Sequence, residues 1–127
     1  MDNLILSVFG FSLRFYFSLV PSLAPQNVTV QSLNSSSFVL TWGPVPLQYA
    51  NGRIQGYRVR VWEQNVTNVS YSVNKKMILV EGLQPYTTYK VEVSAYTSVG
   101  EGNGSFLLVT TLKAGESSAD FKLNKPQ

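Results

Sequence analysis

The chain contains no cysteine and no histidine. Without cysteine there is no disulfide framework, and the redox compartment cannot be read from thiols. Without histidine the chain lacks the commonest general base, the commonest metal ligand and the ordinary pH switch. Charged residues make up only 13% of the 127 positions, and a net charge of +3 is too small to indicate a nucleic-acid surface.

The remaining chemistry-bearing residues do not form a catalytic pattern. The acidic residues are scattered, without the spacing of a metal site, and the many serines and threonines have no histidine to act as their base. The glycine-rich stretch 100–104 does not precede a helical pattern, so it does not indicate a phosphate-binding loop. We therefore expect a protein that is not an enzyme and that binds no metal and no cofactor.

The apolar segment 1–21 has three open interpretations: a signal-like sequence, a membrane anchor, or the start of a fragment of a larger protein. Asp2 stands where a signal peptide needs a basic residue. Arg14 interrupts the apolar centre and would be costly in a membrane span. Small residues precede Pro25 at the spacing of a cleavage site, although a proline after the cut is unfavourable. The segment therefore carries no weight in the fold prediction.

From Pro25 to Thr111 the sequence alternates between apolar and polar residues in about seven short runs, separated by turn residues. Runs of helical period are absent from this region. The clearest run is 88–96, which predicts a half-buried strand. The pattern predicts an all-β fold of two packed antiparallel sheets. The large residues expected to meet between the sheets are Trp42, Tyr57, Leu83 and Tyr89.

Several motifs follow one another in this region: Val-Thr-Val at 28–30, Leu-Thr-Trp at 40–42, Gly-Tyr-Arg-Val at 56–59 and Gly-Leu-Gln-Pro-Tyr-Thr-Thr-Tyr at 82–89. This set resembles a fibronectin type III domain over residues 22–112. The resemblance implies a seven-stranded antiparallel immunoglobulin-like sandwich, with Trp42 and Tyr57 in its core. It also implies that Tyr89 is the tyrosine-corner residue, whose hydroxyl bonds to backbone near Leu83. Residues 113–127 are polar and are expected to be a disordered tail or linker.

Two activities of that family are not expected here. The Arg-Gly-Asp tripeptide of its integrin-binding members is absent from the loop predicted at 98–104. The Trp-Ser-x-Trp-Ser box and the second tryptophan of cytokine-receptor modules are also absent from the sequence.

Five asparagines begin an Asn-x-Ser/Thr triplet without proline, where composition gives roughly 1.6 by chance. All five are predicted to be on the surface, and all but the first in turns or edges: Asn27, Asn34, Asn65, Asn68 and Asn103. The excess indicates N-glycosylation in the secretory pathway, although these residue types also populate turns for purely structural reasons.

The outward side chains of two neighbouring predicted strands form a candidate binding face, called the outward face below. Its residues are Arg58, Arg60, Trp62, Lys90, Glu92 and Tyr96. Such a face can anchor a partner through its aromatic residues. It can also be an ordinary solvated surface, with Glu92 paired to an arginine and a guanidinium over Trp62. The loops 45–53 and 98–104 are further candidates, since loops on a rigid sandwich often carry recognition.

The resemblance implies an extracellular or cell-surface, non-catalytic module of an adhesion molecule or receptor. Its expected partners are other proteins and neighbouring domains of a larger chain, not nucleic acid. Membrane contact would come only through the N-terminal segment or an anchor outside this chain. The alternatives are a passive structural spacer and an accessory module of a secreted enzyme.

Overall fold

The computed structural model describes residues 19–63 and 69–117 in full, and the backbone of residues 3–8 and 11–16. The elements in these residues are strands and one short helix. In chain order they are β1 (Asn3–Val8), β2 (Phe11–Tyr16), β3 (Thr29–Asn34), β4 (Ser37–Thr41), α1 (Leu47–Ala50), β5 (Gly56–Glu63), β6 (Val69–Val73), β7 (Met77–Val80), β8 (Thr88–Tyr96) and β9 (Glu101–Thr110).

Strands β3 to β9 form two antiparallel sheets. One sheet has the order β3-β4-β7 and the other the order β6-β5-β8-β9. Apolar residues of both sheets meet in a single buried cluster. The predicted all-β, seven-stranded antiparallel sandwich is therefore confirmed.

Strand β8 shows how the alternation builds this core. Tyr89, Val91, Val93 and Ala95 are buried, whereas Lys90 on the opposite face is exposed. This is the result of the two-residue period of a strand, which sends successive side chains to opposite faces. The rest of the buried apolar cluster comes from neighbouring strands and connections: Phe38, Leu40, Trp42, Val45, Ala50, Tyr57, Val59, Val61, Val80 and Val109.

The large residues singled out in the sequence lie in or against this cluster. The rings of Trp42 and Tyr57 meet edge to face, with their centroids 5.5 Å apart. Leu83 is partly buried and packs against the cluster. Aromatic pairs in this geometry stabilise a core by more than their buried area alone.

The turn before β8 is fastened to the core by Tyr89. Its hydroxyl oxygen accepts a hydrogen bond from the backbone N–H of Gln84, at 2.8 Å. Thr111 closes the same corner from the other side, because its hydroxyl donates to the Gln84 carbonyl at 2.6 Å. Backbone groups in this turn are thus satisfied by side chains rather than by a sheet.

The stretch 45–53, which the sequence predicts to be a loop, contains a short helix. Residues Leu47–Ala50 form a single helical turn, which ends at Asn51 in the left-handed conformation (φ 56°). Ala50 is buried and Leu47 is 91% exposed. A helix of four residues is too short to show a helical period, so the sequence pattern could not indicate it.

The prediction of a loop at 98–104 is wrong for residues 101–104, because β9 already begins at Glu101. The glycines there serve close packing rather than a turn. A Cβ at Gly102 would collide with the Pro21 carbonyl, and a Cβ at Gly104 would collide with the carboxylate of Glu92. Glycine inside a strand often marks such an approach of neighbouring groups.

Both ends of the domain are held by hydrogen bonds. The Thr97 hydroxyl donates to the carbonyl of Leu19 at 2.6 Å, and the Asn103 side chain donates to the carbonyl of Ser22 at 2.9 Å. At the other end, Ser117 forms a bridge with Asn34 of β3. Residues 113–117 of the stretch that was predicted to be a tail or linker therefore belong to the described part of the chain, and residues 118–127 lie outside it.

The apolar N-terminal segment contains the two strands β1 and β2, which pair antiparallel from Asn3 opposite Tyr16 to Val8 opposite Phe11. Within the parts of the chain that are described, no helix is long and apolar enough to cross a membrane.

The Tyr89 corner yields the first prediction. Replacing Tyr89 with Phe should lower the free energy of unfolding by about 1–3 kcal/mol, because the Gln84 N–H loses its acceptor in a part-buried hydrogen bond. Denaturant melts measure this loss. Tyr71→Phe in β6 is the matched control, since no hydrogen bond involves its hydroxyl within the described residues. Equal stability of Tyr89→Phe and wild type would contradict a structural role for this hydroxyl.

Candidate functional site

The strand register brings the outward-face residues together on the four-stranded sheet. Arg60 lies directly opposite Glu92, and Trp62 lies directly opposite Lys90. Arg58 lies opposite Ser94 in the same ladder. Side chains in such cross-strand pairs are close enough to contact one another.

Arg60 is the centre of an ion-pair network that joins three strands. Its guanidinium contacts Glu92 on β8 at 3.3 Å and forms a two-pronged pair with Glu101 on β9, with one bond at 2.8 Å. The Ser94 hydroxyl donates to the same Glu101 carboxylate at 2.5 Å. Ser94 is fully buried beneath this network although it belongs to the polar face. Bidentate pairs of this kind are geometrically specific as well as charged.

The network shifts the pKa values of Glu101 and Arg60. The pKa of Glu101 lies below its ordinary value, chiefly because Arg60 donates hydrogen bonds to the carboxylate. The bond from Ser94 acts in the same direction, and partial burial opposes both. The bond to Glu101 also raises the pKa of Arg60. Both groups are therefore charged at neutral pH.

A second cluster lies beside this network and is mainly aromatic. The Lys90 ammonium sits 4.6 Å from the ring centroid of Phe106 and 5.6 Å from that of Trp62. The two rings are stacked, with centroids 6.5 Å apart and planes at 23°. The expectation of a guanidinium over Trp62 is wrong, because the cation there is the ammonium of Lys90.

At the other end of the outward face, the Arg58 guanidinium lies 5.4 Å from the ring centroid of Tyr96. Its Nε is buried, forms no hydrogen bond with the described residues, and lies 4.0 Å from the Glu101 carboxylate. Gly56 opposite Tyr96 makes room for the phenol, since a Cβ there would approach the Tyr96 hydroxyl to 2.6 Å.

Sequence reasoning missed three members of this surface, all on β9. Glu101 completes the ion-pair network, and Phe106 and Leu108 extend the aromatic cluster. Phe106 is 56% exposed and Leu108 is 71% exposed. The signal that could have found them is the outward alternation of Gly104, Phe106 and Leu108, which was obscured because the glycines suggested a turn.

Three of the five predicted glycosylation acceptors fall in the described residues, and all three lie off the outward face. Asn27 is exposed just before β3, and Asn34 is half-buried at its end. Asn103 is exposed in β9, where it alternates with Gly104 and bonds to the carbonyl of Ser22. Asn65 and Asn68 lie outside the described residues.

The two candidate loops differ in size from their predictions. The connection between β8 and β9 is reduced to residues 97–100, and loop 45–53 contains α1. A cleft of about 270 Å³ lies between these two connections and is lined by Leu19, Asn51, Arg53 and Thr97. In residues 19–63 and 69–117, no three acidic side chains come close enough together to hold a metal ion.

A family model described as "Fibronectin type III domain" matches residues 23–111. The chain belongs to the fibronectin type III family. The crystal structure of the FN5 domain of Drosophila Lar shares this fold with 33% identity and a TM-score of 0.62, over 75% of this chain and 100% of that one.

Relatives of this fibronectin type III domain occur in much longer proteins. It is 37% identical to sidekick-1 of Gallus gallus over 93 residues. The matched region covers 69% of this chain and 4% of that protein. It is 34% identical to the neuronal cell adhesion molecule of Gallus gallus over 97 residues. That matched region covers 68% of this chain and 8% of the relative. The chain thus spans less than a tenth of either relative.

The ion-pair network predicts a pH dependence. The lowered pKa of Glu101 means that its carboxylate stabilises the fold fully above about pH 5, and that this contribution is lost as the pH falls through the folded-state pKa. Glu101→Gln should therefore flatten the acid side of a plot of unfolding free energy against pH. Urea melts between about pH 3 and pH 7 measure the difference.

Glu81 is the matched control for this experiment, because it is exposed and forms no ion pair with the described residues. Glu81→Gln should leave the profile parallel to that of wild type. A Glu101→Gln profile that is equally parallel would show that the network contributes nothing to acid stability.

Proposed function

We propose that this fibronectin type III domain is an extracellular, non-catalytic interaction module of a multidomain adhesion molecule or receptor. The relationship to a neuronal cell adhesion molecule supports the setting. The small fraction of that relative that the chain covers supports a multidomain parent. The domain contacts its protein partner through the outward face.

The observation that carries this proposal is the exposure of large apolar side chains beside charged ones on one sheet. Phe106 and Leu108 are largely exposed, and Phe106 stacks on Trp62. Aromatic and arginine side chains that can be buried at the centre of a contact contribute most to protein–protein affinity. Such residues on a solvated face would otherwise be an aggregation hazard.

The position of the glycosylation acceptors agrees with this assignment. Glycans at Asn27, Asn34 and Asn103 would leave the outward face uncovered, because none of these side chains belongs to it. Bulky, solvated glycans would instead shield other parts of the surface. A protein partner would therefore find the outward face accessible on a domain that is glycosylated at these three sites.

The proposal predicts that the double variant Trp62→Ser/Tyr96→Ser loses binding. A fluorescent tetramer of the chain is applied to intact neuronal cells, and bound fluorescence is measured by flow cytometry. We expect a decrease of about tenfold or more, because both aromatic anchors are removed. Circular dichroism and thermal melts verify that the variant is folded.

The matched control is Met77→Ser/Leu79→Ser, which removes two exposed apolar residues from the other sheet (55% and 47% exposed). This control should bind as wild type does. If the Trp62→Ser/Tyr96→Ser tetramer binds cells as well as this control does, the outward face is not the binding surface.

We propose that the acceptor asparagines carry N-linked glycans. Expression in a secretory cell line should yield a chain that migrates faster after treatment with an amidase that removes N-glycans. Asn27→Gln, Asn34→Gln and Asn103→Gln should each reduce the shift in steps if their sites are occupied. The same electrophoretic mobility with and without the amidase would remove the support for an extracellular location.

A further inference from the structure

Resting on the proposed function, we infer which chemistry the partner presents to one end of the outward face. The surface formed by Trp62, Lys90, Phe106 and Leu108 is called the Lys90 platform. It binds a segment of a partner protein that places a carboxylate, from Asp or Glu, directly beside an apolar side chain.

The apolar half of this requirement comes from β9. Phe106 and Leu108 are two residues apart on one strand and therefore point to the same side of the sheet. Leu108 lies opposite Lys90 in the strand register, and Phe106 stacks on Trp62. The four side chains thus form one continuous surface across three strands, roughly 10 Å wide.

The anionic half comes from the charge balance of the outward face. Its two carboxylates are both engaged, since Glu92 and Glu101 pair with Arg60. Lys90 is exposed and forms no ion pair with any described residue; its ammonium contacts the rings of Phe106 and Trp62. The positive charge of Lys90 is therefore the one that the platform leaves uncompensated.

Covering this platform with a purely apolar partner would bury an unpaired ammonium, which is costly. A carboxylate removes this cost, and its attraction to Lys90 grows as water is excluded between the rings. A purely acidic partner would leave Phe106 and Leu108 in water and gain nothing from their burial. The combination of both groups therefore fits best.

A protein segment fits better than a nucleic acid or a membrane surface. The platform carries one free cation, whereas a polyanion requires a row of basic residues. The two arginines elsewhere on the outward face are already paired or packed: Arg60 with two carboxylates, and Arg58 against Tyr96.

The test uses the full chain as bait for a yeast-displayed library of random seven-residue peptides. Peptides selected by the wild-type chain should contain Asp or Glu next to a large apolar residue. Lys90→Glu should weaken their binding by about tenfold or more and should itself select peptides with Lys or Arg in place of the acid. Leu108→Ser should lower the affinity for the same peptides, and the variant should still select peptides that contain Asp or Glu.

Lys75→Glu is the matched control, because Lys75 is exposed between β6 and β7 and its substitution changes the net charge equally. It should leave both selection and affinity unchanged. If Lys75→Glu lowers the peptide affinity as much as Lys90→Glu does, the effect is one of general charge and the inference is overturned.

The remaining outcomes separate this inference from the proposed function. If Leu108→Ser lowers the affinity for selected peptides that lack acidic residues, the inference is overturned but the outward face remains a binding surface. Peptides indifferent to both Leu108→Ser and Trp62→Ser/Tyr96→Ser would contradict both proposals. Two further outcomes would overturn the inference by identifying a different occupant. One is Lys90-dependent binding of sialylated glycans without any peptide selection. The other is a dimer of the chain that Leu108→Ser dissociates.

Discussion

The register of strand β8 is the constraint on which both surfaces of the domain depend. Tyr89 to Ala95 supply alternate side chains to the core, and the residues between them supply the outward face. A slip of one residue against β5 or β9 would expose the buried valines and bury Lys90 and Glu92. The apolar core therefore fixes not only the fold but also which charged residues stand opposite one another.

Sequence reasoning reached the core because burial on one side of a strand leaves a simple two-residue period. It placed Tyr57 and Tyr89 on inward faces and Arg60 and Lys90 on outward ones. It did not find Glu101 as the partner of Arg60, since that contact joins residues far apart in the chain. The pairing follows from the order of strands and from a register shift between Ser94 and Tyr96, neither of which leaves a local pattern.

The glycines of β9 show a second limit of local patterns. Gly102 and Gly104 suggested a turn, as glycines often do. Their role instead depends on residues distant in the sequence that pack closely against them, through the carbonyl of Pro21 and the carboxylate of Glu92. The four-residue helix at Leu47 escaped detection for the opposite reason, because its pattern is local but too short to repeat.

The outward face divides into two parts with different electrostatic requirements. Around Arg60 the charges compensate one another and bury Ser94, so a partner would have to desolvate groups that already have good contacts. Around Lys90 the cation rests on aromatic rings beside an exposed leucine. A partner that covers this part removes apolar surface from water and can supply the missing negative charge. Among the described residues, the ion pairs that stabilise the sheet thus leave the charge of Lys90 unpaired, and this is the charge that the proposed partner would compensate.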